Sequence, residues 1–262
     1  LGHDNEGSLS VYQVRGYTPK VISTNAMERI FAKYADVDKA TAWAFSSGQH
    51  HFYVLTFPVA DASWCYDTST GEWSEWIRGG ADSFGTNRAK RHPASCHVQL
   101  DGRHYVGMYD SGEIYELIDG ATSDGLGADI TYLRSTPPMS DTEDGARLFY
   151  TDLQVMTASV GAGGHGVRSS SGAMMPQEGV KILMRYSNDG GVTWIDGGYR
   201  DTGAAGEYSR RAIWGRCGSA HSRVWEFSWR GSAGNDATDP NTRAEAVALL
   251  GARVKVLKGN TR

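Results

Sequence analysis

The 262-residue sequence carries 33 glycines, a heavy aromatic load (8 Trp, 13 Tyr, 7 Phe) and a formal net charge of −4. Glycine at about 13% is nearly twice the usual ~7%, yet it lacks the three-residue period of collagen, and so many aromatics exclude a disordered chain. No stretch approaches ~18 consecutive apolar residues, so no membrane-spanning helix is expected.

The opening residues, Leu1-Gly2-His3-Asp4-Asn5-Glu6, contain no initiator methionine, no basic segment and no apolar segment. No secretory signal is expected there, and the chain reads as the C-terminal fragment of a longer one or as a processed product. Cys65, Cys96 and Cys217 lie far apart with no C-x-x-C pair, which predicts reduced thiols rather than a disulfide framework or a zinc site. Charge is uneven. Residues 101–145 hold ten acids against Arg103 and Arg134, a net −8, whereas residues 200–230 hold six arginines and three acids, a net +3. Such asymmetry speaks of association partners rather than of fold.

In chain order, the first element is a short helix over about 25–35. Asn25 stands three residues before Glu28, a capping-box spacing, and Met27, Ile30, Phe31 and Tyr34 form one apolar stripe. Elsewhere the period is two. Residues 52–57 are apolar on both faces, as in a strand covered on two sides. Val180, Ile182, Met184 and Tyr186, then Trp225, Phe227 and Trp229, then Val254 and Val256, alternate with polar residues as strands with one buried face do. The fold class is all-β.

A weak repeat points to an architecture. His51-Phe52-Tyr53-Val54-Leu55 is followed by Tyr66-Asp67, Gly71 and Trp73; His104-Tyr105-Val106-Gly107-Met108 is followed by Tyr109-Asp110, Gly112 and Tyr115. Units of this size suit the antiparallel blades of a β-propeller. Residues 1–120 are assigned propeller-like blades with the short helix. Residues 121–262 are assigned further β blades with two polar insertions, 159–179 and 231–242, and the whole is compatible with one continuous β domain.

The most specific motif is Ser187-Asn188-Asp189-Gly190-Gly191-Val192-Thr193-Trp194. It resembles the Asp-box of many propellers, in which the aspartate accepts backbone N–H bonds, a glycine supplies positive φ and the tryptophan buries the turn. Ser187, Asp189, Gly191, Thr193 and Trp194 are therefore assigned a structural role. No catalytic or cofactor residues are assigned. Asp141, Glu143 and Asp144 beside Pro137-Pro138 read as a solvated charge run rather than a hydrolytic pair. Adjacent strand positions place His50 and His51 on opposite faces, and His92 and His97 have no third ligand nearby in sequence, so no metal is expected. Gly161 to Gly166 has the glycines of a phosphate loop without its lysine or helix. The arginine–aromatic segment 199–225 is the candidate interface, with Arg211, Trp214, Arg216 and Trp225 as its residues. Stacking on nucleic acid is the other reading of those residues.

Four stretches, taken in order, resemble a known family. They are Gly2-His3-Asp4 through Tyr17-Thr18-Pro19 to Ile22-Ser23-Thr24; Phe52 to Pro58 with Trp64-Cys65-Tyr66-Asp67 and Trp73; Leu183-Met184-Arg185-Tyr186-Ser187-Asn188-Asp189-Gly190-Gly191; and Gly206-Glu207-Tyr208 with Arg211, Trp214, Arg216, Gly218 and Arg223-Val224. Together they are similar to the tail-nozzle or tail-hub (packaged-DNA stabilisation) proteins of short-tailed bacteriophages. The insertions at 159–179 and 231–242 are longer than that pattern, and family members have more chain before the part matching Leu1. The resemblance implies a structural virion protein and no enzyme, assembled in the bacterial cytoplasm. It implies a homo-hexameric ring beneath the portal, in contact with the tail adaptor and distal tail proteins. Such a ring retains packaged double-stranded DNA and conducts it on ejection without sequence-specific binding. An overall acidic chain suits a conduit, because each phosphate neutralised adds affinity. The alternatives are a carbohydrate-binding or sialidase-like propeller and a general interaction module.

Overall fold

The structure is a computed structural model, and it describes residues 1–3, 9–78, 90–118, 121, 130–141, 144–158, 180–202, 211–230 and 248–258. The insertions 159–179 and 231–242 and the glycines 161–166 lie outside the described residues. The chain forms two compact units: unit 1 comprises residues 1–78 and 82–119, and unit 2 comprises 79–81 and 120–262.

Unit 1 contains β1 (Gly2–His3), β2 (Leu9–Ser10), β3 (Tyr12–Arg15), β4 (Thr18–Val21), α1 (Asn25–Phe31), a 3-10 turn at Val37–Lys39, β5 (Thr41–Ser47), β6 (His50–Phe57), β7 (Ala62–Asp67), β8 (Glu72–Glu75), β9 (Ala94–Leu100), β10 (Arg103–Met108) and β11 (Ile114–Glu116). Strands β5-β6-β7-β8 form one antiparallel meander and β9-β10-β11 another, each strand paired with its neighbour in sequence. A four-stranded meander is the form of a propeller blade. The apolar faces of β6 explain its covering. Leu55 and Phe57 pack with Met27 and Phe31 of α1, whereas Val54 packs with Trp43, Phe45, Cys65, Ala94 and Val106. One side of the first sheet therefore meets the helix and the other meets the second sheet.

The helix begins one residue earlier than its spacing suggests. Thr24 is the N-cap, its Oγ1 accepting the Met27 N–H at 3.4 Å. Ser23 Oγ donates to Glu28 Oε1 at 2.8 Å and accepts the Val11 N–H at 3.0 Å, tying the helix start to the link between β2 and β3. Helical structure ends at Phe31, short of the expected 35.

The sequence repeat corresponds to hairpins. Tyr66-Asp67 closes β7 before the turn to β8, where Asp67 Oδ1 accepts the Ser69 N–H at 2.8 Å and Gly71 takes φ +77°. Tyr109-Asp110 starts the turn from β10 to β11. The two copies share the turn rather than a whole four-stranded set.

Unit 2 contains β12 (Thr131–Ser135), β13 (Met139–Ser140), β14 (Leu148–Ala158), β15 (Lys181–Ser187), β16 (Ile195–Asp201), β17 (Arg211–Gly215), β18 (Ser219–Ala220), β19 (Ser222–Arg230) and β20 (Ala248–Lys258). One sheet runs β12-β19-β15-β16, with β13 also on β19; the other places β17 and β18 on one side of β14 and β20 on the other. The pairings are antiparallel, and apart from the β15–β16 hairpin they are distant in sequence: Leu148 faces Lys258, and Thr131 faces Arg230. Side chains of both sheets (Tyr150, Leu153, Val155, Ile182, Met184, Trp214, Trp225 and Phe227) make one core, as in face-to-face sheet packing.

Candidate functional site

The turn joining β15 to β16 collects the Asp-box residues. Asp189 Oδ1 accepts from Ser187 Oγ (2.6 Å), Val192 N (3.0 Å) and Thr193 N (2.9 Å); Oδ2 accepts from Thr193 N (3.1 Å) and Thr193 Oγ1 (2.5 Å). Ser187 Oγ accepts the Gly191 N–H at 2.8 Å. The Ser187 and Thr193 hydroxyls, followed by the backbone N–H groups, hold the Asp189 carboxyl well below the usual carboxylate range. Gly190 and Gly191 take φ of +73° and +98°, conformations that side chains rarely adopt. The half-buried Trp194 lies against Gly191, and the Arg185 guanidinium sits 5.4 Å from its ring centroid. Both carboxylate oxygens are engaged within the turn, so its chemistry is that of a rigid hairpin.

Directly behind this turn is a residue that the motif does not name. Arg223 on β19 is 1% exposed. Its Nε donates to Asn188 Oδ1 at 2.8 Å and its Nη1 donates to the Cys217 carbonyl. The guanidinium carbon lies 4.2, 4.5 and 5.0 Å from the ring centroids of Tyr186, Tyr150 and Trp225. A desolvated cation over three rings gains strongly from their quadrupoles. Arg223 thus ties the Asp-box turn to the β17–β18 connection through an aromatic cage. The sequence did hold a signal for it: position 223 shares the inward period-two face of Trp225, Phe227 and Trp229. On the opposite face of the same sheet, Glu226 accepts from Arg185 Nε (2.9 Å) and Arg185 Nη2 and from Ser135 Oγ (3.3 Å).

The candidate interface residues divide. Arg211 and Arg216 are exposed. Trp214 and Trp225 are 2% and 1% exposed and belong to the core of unit 2, which corrects their assignment to a partner surface. Alternation along β17 points Ala212 and Trp214 inward and Arg211 and Ile213 outward. Trp214 Nε1 donates to the Gly198 carbonyl at 2.9 Å, satisfying its polar group inside the unit.

The remaining candidates have internal partners. Asp141 and Asp144 lie 3.0 and 2.7 Å from Lys258 Nζ, and Glu143 lies outside the described residues. His50 Nδ1 is 2.6 Å from Asp67 Oδ2, while His51 Nδ1 is 2.7 Å from Ser46 Oγ. His92 Nδ1 accepts the Ala94 N–H at 3.3 Å, and burial pushes its pKa down to about 4. His97 Nε2 is 2.9 Å from His104 Nδ1, a pairing of neighbouring strands. Among the described residues, no three His, Cys, Asp or Glu side chains gather as a metal site. All three cysteines are free; Cys65 and Cys217 are buried, with burial pushing the Cys65 thiol up to about 12.

Residues 1–123 match a family model described as Phage_stabilise: Bacteriophage P22 Gp10, beta-propeller. No curated protein matches the chain. The matched span covers the helix and both meander sheets of unit 1. Over residues 1–123, just under half of its length, the chain is similar to this phage-stabilisation family, which fits a structural tail protein of a bacteriophage.

Proposed function

We propose that this chain is part of the tail nozzle of a short-tailed bacteriophage, a ring-forming subunit that continues the DNA channel below the portal and its adaptor. In this reading the protein helps to retain packaged DNA, conducts it on ejection and works by geometry rather than by catalysis. The observation that carries the proposal is the family match over residues 1–123, which falls on two stacked antiparallel meanders. A rigid β scaffold with closely satisfied turns suits a load-bearing ring. The acidic balance, −4 over the chain, suits a conduit that must let a polyanion slide.

Electron microscopy of the purified full-length protein, alone and with its tail neighbours, tests the ring: closed rings are expected, and a strict monomer under both conditions refutes it. Fluorescence anisotropy with a short duplex tests the conduit. Affinity no tighter than the ~10⁻⁴–10⁻⁶ M of ordinary non-specific binding is expected at ~150 mM salt; submicromolar affinity points to a DNA clamp instead.

A further inference from the structure

We propose that β20 is a docking edge for an acidic strand of a partner protein, one whose acidic side chains alternate with apolar ones. The surface is built from unit 2 alone, so it stands whether or not the subunit forms a ring. Among the described residues, β20 pairs with β14 only, which leaves the other edge of this eleven-residue strand open. An open edge offers a row of backbone donors and acceptors to an incoming strand.

The side chains beside that edge specify the occupant. Val254 and Val256 turn toward the core of unit 2, while Arg253 and Lys255 point outward and are exposed. On the same outer face, β17 adds exposed Arg211, whose Nη1 donates to Gln154 Oε1 at 3.2 Å. One acid, Asp152, stands opposite Lys255 in register, and Gln154 stands opposite Arg253. A groove of about 300 Å³ is lined by Asp152, Gln154, Arg253, Val254 and Lys255. It is flanked by exposed apolar residues: Phe149 and its register partner Leu257 toward one end, and Ile213 and Met156 toward the other. Three cations against one acid mark a locally positive surface on a negative chain. A strand laid along β20 would continue the period of two, with apolar side chains beside Val254 and Val256 and carboxylates beside Arg253 and Lys255. Apolar flanks and an open backbone edge favour a peptide strand over a nucleic acid, which would meet cations alone.

Titrating the whole chain with a fluorescein-labelled synthetic peptide of alternating glutamate and valine tests the proposal. Saturable binding is expected, weakened at least tenfold by the double substitution R253E/K255E, retained by R253K/K255R and reduced by salt. If the charge reversal unfolds unit 2, R253Q/K255Q decides by the same readout. Three results overturn the proposal: a lysine–valine peptide that binds equally well; indifference to the charge reversal; or no saturable binding. Two others reassign the surface and equally reject a partner strand. One is a short DNA duplex held through Arg253 and Lys255 as tightly as the peptide, and the other is peptide-free dimers that R253E/K255E dissolves.

Discussion

Units 1 and 2 are built from the same kind of antiparallel strand, yet their connections differ. In unit 1 each strand of the two meanders pairs with the next in sequence, and turns such as Asp67–Gly71 close the hairpins locally. In unit 2 the long strand β14 pairs with β20, about a hundred residues away, and β12 pairs with β19 across a similar span. Loop-closure entropy must be overcome before such distant pairs reward folding. Unit 2 therefore depends on its shared core, whereas unit 1 draws more of its order from neighbours in sequence.

Separate cores predict separate damage. Trp225 (1% exposed) and Phe31 (0% exposed) sit in different core clusters. Trp225→Ala and Phe31→Ala should each cost about 3–5 kcal/mol. Hydrogen exchange should show lost protection in β14, β15 and β19 for the first and in α1 and β6 for the second. Loss spread equally over both units in either variant would break the comparison.

Next in size is Arg223→Leu, which removes the cation from its aromatic cage and orphans Asn188 Oδ1 and the Cys217 carbonyl. A loss of about 1–3 kcal/mol for the buried Cys217 carbonyl left unpaired is expected, confined to unit 2, in urea melts, since the exposed Asn188 can turn to water. A variant as stable as the parent would show that the cage is not what joins the Asp-box turn to the β17–β18 connection.

Acid should separate the units as well. Burial lowers the pKa of His92 to about 4, and burial together with His104 lowers that of His97. Between about pH 6.5 and pH 4 the unfolded chain therefore takes up protons that folded unit 1 refuses, so the stability of unit 1 falls as pH drops through that window. Asp189 in unit 2 responds to acid in the same direction but in a lower window. Its carboxyl is held below the ordinary value, so its contribution is complete above about pH 4 and is lost only in stronger acid. Urea melts followed by amide NMR signals of each unit, at about pH 7 and about pH 5, should show unit 1 weakening first. The reverse order would contradict imidazoles that the fold keeps neutral.

The smallest effect belongs to the turn itself. Asp189→Ala should lower the melting temperature of unit 2 by a few degrees while leaving ring formation and peptide binding intact. An unchanged melt combined with a lost binding activity would give Asp189 a functional role instead.

The sequence shows what is local. The Ser187–Trp194 motif names the members of its turn because the bonds of the Ser187 and Asp189 side chains fall within residues 187–193. Period two in residues 180–186 and 225–229 locates β15 and β19, and the two-sided apolar run 52–57 locates a strand covered on both faces. The helix was legible from its stripe, although the cap moved to Thr24 because Ser23 bonds both Glu28 and Val11, a contact twelve residues away in sequence.

Tertiary structure decided which of several equivalent residues went inside. Arginine and tryptophan in 211–225 look alike as interface material, but sheet packing placed Trp214 and Trp225 in the core and left Arg211 and Arg216 outside. The burial of Arg223 depends on three rings and a carbonyl contributed by β14, β15, β19 and the turn after β17. Alternation along one strand says which positions share a face; it does not say which strand will lie opposite, because that is set by side-chain packing and hydrogen-bond register across the whole unit. Strand identity and turn chemistry therefore belong to the sequence by itself, and pairing across a hundred residues belongs to the fold.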